Sequence, residues 1–233
     1  MIVGERKPFE QIFSTLKPFK KVCVLGCGTC VTVCLAGGEK EVQETAAALS
    51  LHRKKEGEEV EIVTKTIQRQ CEFEFVDEIL EELEDCDVVL SLACGVGVQT
   101  MAARLPEKFV LPGLNTKFMG LPLEQGVWQE NCLGCGDCVL DRTYGICPIT
   151  RCTKSMLNGP CGGSQDGKCE ISKDTDCGWH LIHERLKKLG KLDIMDPLQP
   201  PKDWSTGHHG GPRKIVREDV RLCSPEAILG ELH

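Results

Sequence analysis

Eight cysteines stand between Cys132 and Cys177, with many glycines and little apolar sequence among them. A stretch of that kind cannot bury enough side chain to hold itself together. Its fold must be organised by what its cysteines bind. The whole chain has 233 residues and 16 cysteines. Its start, MIVGERKPFEQIFSTLKPFKK, has no apolar segment of the signal-peptide kind and no small-residue cleavage site. No apolar run reaches the length of a membrane span. A cytoplasmic protein is therefore expected, in which thiols stay reduced. Closely spaced cysteines then point to iron–sulfur or zinc ligation rather than to disulfides. The net charge of −7 and 5% aromatic content offer neither a basic face nor stacking platforms, so no nucleic-acid partner is expected.

Upstream of this region the pattern is different. KVCVLG at 21–26, EVEIVT at 59–64, DVVLSLA at 87–93 and KFVL at 108–111 read as short buried strands. Helical patterns lie between them: 29–55, with an interruption at Gly37-Gly38, then 75–83 and 96–105. Alternation at βαβ spacing argues for an α/β domain with a Rossmann-like or flavodoxin-like parallel sheet. The periodicity stops after Leu114, and one further helix is expected over 178–189. The expected organisation is an N-terminal arm over 1–20, the Rossmann-like domain over 21–120, a small cysteine-rich, ferredoxin-like, cluster-organised domain over 121–192, and an extended tail over 193–233. The tail contains DPLQPP and GHHGGP and is expected to bind a partner.

Parallel sheets bind ligands at the carboxyl ends of their strands. Cys27, Cys30 and Cys34 follow the first strand, Cys71 follows the second and Cys94 follows the third. Three chain segments thus bring five thiols to one sheet edge, where four could hold a [4Fe–4S] cluster. Which of the five is not a ligand stays open. Cys23 lies within a strand and reads as a buried apolar residue, as do Cys86 and Cys223. The stretch CVLGCGTCVTVCLAGGE resembles a radical S-adenosylmethionine signature. Three features oppose that reading: Cys23 falls in a strand, the GGE comes directly after Cys34, and the α/β part is too short for a full barrel. A dinucleotide loop at Gly26-Cys-Gly28 lacks its third glycine, and no acid ends the second strand.

In the second group, Cys132, Cys135 and Cys138 form C-x2-C-x2-C, followed after eight residues by Cys147-Pro148. Bacterial ferredoxins carry a similar run with a shorter last spacer. Ferredoxin logic pairs these three with a distant cysteine such as Cys177. Cys147, Cys152, Cys161 and Cys169 then form a second site, for iron–sulfur or zinc. His180, His183, His208 and His209 read as ordinary surface or half-buried residues.

The blocks GCGTCVTVCLAGGEKEV, RQCE, LSLACGVGVQT, LPGLNT, CLGCGDCVL, GICPITRCTKSMLNGPCGGSQDGKCE and CGW together resemble one family. It is the iron–sulfur, zinc-containing small subunit of acetogen-type methylenetetrahydrofolate reductase, and the resemblance covers about residues 1–192. It implies a chain that is not catalytic alone and carries two to three [4Fe–4S] clusters, with one Zn2+ as an option. It also implies a partner subunit with a flavin, which reduces methylenetetrahydrofolate to methyltetrahydrofolate. A ferredoxin or another electron donor would supply the electrons. The competing expectation is a zinc-dependent structural or methyl-transfer module of one-carbon metabolism.

Overall fold

After a first strand, Ile2–Arg6 (β1), and a helix, Phe9–Leu16 (α1), the chain enters a parallel sheet. The computed structural model describes residues 1–217 and 219–221, so Cys223 lies outside the described residues. The sheet consists of Lys21–Cys27 (β2), Glu61–Ile67 (β3), Val88–Leu92 (β4) and Phe109–Pro112 (β5), in the order β3-β2-β4-β5. All three pairings are parallel. The first of these strands is central, with the second on one side and the third on the other, as in flavodoxin-like sheets. The expected α/β fold class is present.

The helices between the strands cover both faces of the sheet. They are Cys30–Val33 (α2), Glu39–Glu56 (α3), Phe73–Asp77 (α4), Leu80–Leu83 (α5) and Gly95–Arg104 (α6). Alternation along β2 sends Val22 and Val24 to a core with Ile12, Leu16, Val42 and Leu49, from α1 and α3. Cys23 and Leu25 face the other core, with Val76, Leu83 and Met101. A strand buried on both sides has no polar positions, which is why KVCVLG reads as a continuous apolar run. The helix expected over 75–83 is two short pieces, α4 and α5.

Gly37-Gly38 separates α2 from α3, and each glycine has its own reason. The Gly37 carbonyl accepts from the Cys27 amide at 2.9 Å. A Cβ on Gly37 would lie 1.9 Å from the Leu92 carbonyl oxygen. The Gly38 amide donates to Glu41 Oε2 at 2.9 Å, capping α3. The GGE element is therefore a close crossing over β4 followed by a helix cap. Gly37→Ala is expected to cost about 3 kcal/mol or more, because backbone rather than a flexible side chain must yield. Urea unfolding with an unchanged midpoint would refute this.

Residues 1–20 hold β1, which pairs antiparallel with Leu114–Glu124 (β6), and β6 pairs with Val127–Cys132 (β7). The first compact unit spans Met1–Leu133 and includes this three-stranded sheet. The described part of the tail belongs to the second unit, Gly134–His233. Asn158 and Gln199 bond each other twice: Asn158 Nδ2 donates to the Gln199 carbonyl at 3.0 Å, and the Gln199 amide donates to Asn158 Oδ1 at 2.6 Å.

The second unit holds Leu140–Thr143 (α7), Pro148–Arg151 (α8), the hairpin Lys168–Cys169 (β8) and Ser172–Asp176 (β9), and Gly178–Leu189 (α9). Its core is small: Cys177, Trp179, Ile182 and Leu186 are buried, with Tyr144, Ile146 and Met156 among the side chains against them. Among the described residues, no helix is long and apolar enough to cross a membrane.

Candidate metal centres

At the first centre, β2 ends on Cys27, α6 is capped by Cys94, and Cys71 lies in the connection from β3 to α4. Cys27 Sγ is 3.6 Å from Thr29 Oγ1, and Cys71 is exposed. Burial pushes the Cys71 thiol up, and the neighbouring thiols of Cys27 and Cys94 push it the same way, while its own amide opposes them. The Cys71 thiol therefore lies within electrostatic reach of thiols from two other segments, at the carboxyl ends of the parallel strands, where such sheets bind their ligands.

Gln70 holds this arrangement and was not singled out in the sequence. It is fully buried beside Cys71. Its Nε2 donates to the Leu25 and Gly26 carbonyls at 2.9 and 3.0 Å, and its Oε1 accepts from Ser91 Oγ at 2.6 Å. One amide thus ties the Cys71 loop to the ends of both β2 and β4. The available signal was a glutamine beside a candidate ligand at a strand-end loop, and glutamines are too often exposed for that to register.

Cys34 stands apart from that trio. Its Sγ donates to the Ile2 carbonyl at 3.5 Å, and the residue is packed in the core under β1. Burial pushes its thiol up, partly offset by the Gly4 amide. Cys30 opens the single-turn α2 and acts electrostatically on Cys34. Cys23 and Cys86 are both buried. Burial, with Cys86 as hydrogen-bonding neighbour, pushes the Cys23 thiol up to about 12.

A cavity of about 20 Å³ is lined by Cys152, Cys161, Cys169 and Cys177. Cys147 does not line it; it caps the start of α8, while Cys152 ends that helix. The β8–β9 hairpin decides this. Lys168 pairs with Asp176, which carries Cys169 on one strand and Cys177 just beyond the other. Spacing along the chain cannot report that return. Burial pushes the Cys177 thiol up, but the Ser164 hydroxyl and the amides of His180 and Trp179 prevail and hold it below its ordinary value. Cys161 Sγ lies 3.6 Å from Glu170 Oε2, which also pairs with Lys154.

Cys132 ends β7 and is exposed. Cys135 Sγ is 3.4 Å from the Asp137 carbonyl oxygen, and Cys138 is exposed. His180, His208 and His209 are exposed, while His183 is half-buried with Glu184 Oε1 3.1 Å from its Nδ1. Among the described residues, no three His, Cys, Asp or Glu side chains are drawn in to the spacing of a single bound ion. The four thiols share their cavity without converging on one point.

The donor sets suit sulfur-loving centres. They are all cysteine, they come from several segments, and one of the thiols, Cys177, is biased toward its thiolate. No curated protein and no solved structure matches the chain. Residues 111–205, which include all eight clustered cysteines, match the family model described as methylene-tetrahydrofolate reductase C terminal, and that stretch is related to those reductases.

Proposed function

We propose that this chain is the electron-transfer subunit of a methylenetetrahydrofolate reductase, passing electrons to the flavin of a catalytic partner. The observation that carries this reading is the match of residues 111–205 to the reductase C-terminal family, in a chain that also places Cys27 at the end of β2, Cys71 after β3 and Cys94 after β4. Iron–sulfur clusters held by such thiolates would supply one-electron transfer. Cys30, three residues beyond Cys27 and half-buried, is the natural fourth ligand, because Cys34 is engaged under β1. Cys132, Cys135 and Cys138 would serve a second cluster, with Cys147 as a candidate for its fourth position.

This chain's own residues do the positioning. Gln70 keeps Cys71 against the strand ends, and the exposed Cys71 keeps the centre near the surface, where a donor can approach. Phe73 and Val96, each two residues from one of these cysteines, are exposed apolar side chains on the same elements, available for a protein contact. At Cys152, Cys161, Cys169 and Cys177, the small cavity favours a single zinc ion that fastens the unit together.

The test is metal and sulfide analysis of the full chain prepared without oxygen, followed by mixing with a flavoprotein partner and a reduced ferredoxin. The expected result is iron and sulfide in equal amounts, about one zinc per chain, and reduction of the partner's flavin that requires this chain. A colourless protein containing zinc alone would defeat the electron-transfer reading and favour the structural one.

A further inference from the structure

The described C-terminal segment grips the Cys135–Cys138 loop by its carbonyls. Lys202 Nζ donates to the Asp137 carbonyl at 2.7 Å, and its side chain is only 1% exposed. Thr206 Oγ1 donates to the Cys135 carbonyl at 2.9 Å. Arg213 Nη1 donates to the Gly134 carbonyl at 3.1 Å and to the Thr206 carbonyl at 2.9 Å. The loop admits this strap because Gly136 has φ +86° and no side chain. A Cβ there would lie 2.0 Å from the Thr206 carbonyl oxygen.

Two of the three donors carry full positive charge, and Lys202 carries it away from water. Beside its ammonium stand the Asp137 carbonyl and, at 3.4 Å, the Asp137 carboxylate, which is 64% exposed. Water screens that carboxylate far more than it screens the buried ammonium. Net positive charge is left within the loop that separates Cys135 from Cys138. Buried cations are rarely kept without something negative to face.

We propose that Lys202 is a positioning and charge-tuning residue for the Cys135–Cys138 centre. It holds the loop in shape and favours the more negative, reduced state, which raises the reduction potential. The inference rests on the cluster reading above. The redox change is one electron gained by the centre from an external one-electron donor, here a reduced viologen mediator. No bond in the protein forms or breaks, and no proton is needed.

The experiment is a mediated redox titration of the full chain, followed by paramagnetic resonance, on the signal that Cys138→Ser abolishes. Lys202→Met is expected to lower the equilibrium constant for reduction at least tenfold, about 59 mV for a one-electron couple. Asp137→Asn removes the opposing charge and is expected to move the midpoint upward. Lys202→Arg is expected to restore it. A purely structural role would lower cluster content without shifting two variants in opposite directions. If Lys202→Met does not assemble, Asp137→Asn decides alone, since its side chain is exposed. Unmoved midpoints at full iron content would overturn this inference and leave the cluster reading standing. A wild-type chain without iron would overturn both.

Discussion

Replacing Cys177 with serine, or stripping metal with a strong chelator under oxidising conditions, is expected to unfold the second unit while the first stays folded. The reason is the size of the two cores. The parallel sheet is covered on both faces by buried aliphatic side chains, and it needs no metal to exclude water. Among the described residues, the core cluster of the second unit holds four buried residues, one of them Cys177 itself. A unit with so little apolar burial depends on cross-links or metal for its stability. When ligands are assembled only in the folded state, metal binding energy is folding energy, on the order of 10 kcal/mol for a structural zinc site. Cys177 is the sensitive position because its sulfur is held by the Ser164 hydroxyl and two amides at the start of α9. The hydroxyl of serine does not replace a thiolate toward zinc or iron. Limited proteolysis should then cut within 134–221 and spare 1–133, and the emission of Trp179 and Trp204 should shift while that of Trp128 changes little. A second unit that stays protease-resistant without metal would show that its ligands do not organise it.

Gln70→Leu is expected to be the most damaging change in the first unit that touches no cysteine. Leucine fills the space but removes both donors and the acceptor of the amide. The Leu25 and Gly26 carbonyls and the Ser91 hydroxyl then lose their Gln70 partner beneath a residue with no exposed surface. Each unsatisfied buried group costs about 1–3 kcal/mol, so with three groups affected a loss of about 3 kcal/mol or more is expected. The Cys71 loop should detach from the sheet edge before the sheet itself melts. Urea unfolding monitored by circular dichroism gives the first effect, and iron content per chain gives the second. Lower stability with full iron content would mean that Gln70 serves the sheet and not the centre.

Both predictions turn on residues with unequal visibility in the sequence. Strands β2 and β4 were legible because a strand buried on both faces is apolar nearly throughout, and glycines follow each of them. Helix α9 was legible because Trp179, Ile182 and Leu186 repeat at helical spacing. The β6–β7 hairpin was not. It is half-exposed, it contains Gly120 and Pro122, and its partner β1 lies more than a hundred residues upstream, as Ile2 pairing with Met119 shows. The position of Cys34 under that missed strand was equally hidden, since its sulfur bonds the Ile2 carbonyl and nothing near it in the chain reports this.

From the sequence alone came the α/β fold class, the expectation that the cysteines bind a metal or cluster, the place of one group of them at the edge of a sheet, and the scarcity of apolar sequence around the later group. These conclusions depend on local quantities: apolar periodicity, residue spacing and composition. Tertiary structure decided which sulfurs keep company. The β8–β9 return put Cys177 on the cavity that Cys152, Cys161 and Cys169 also line, β1 covered Cys34, and the C-terminal strap brought Lys202 to the Cys135–Cys138 loop. Each of these is a contact between residues far apart in the chain. Such contacts are set by the geometry of packing and pairing, which spacing along a sequence does not encode.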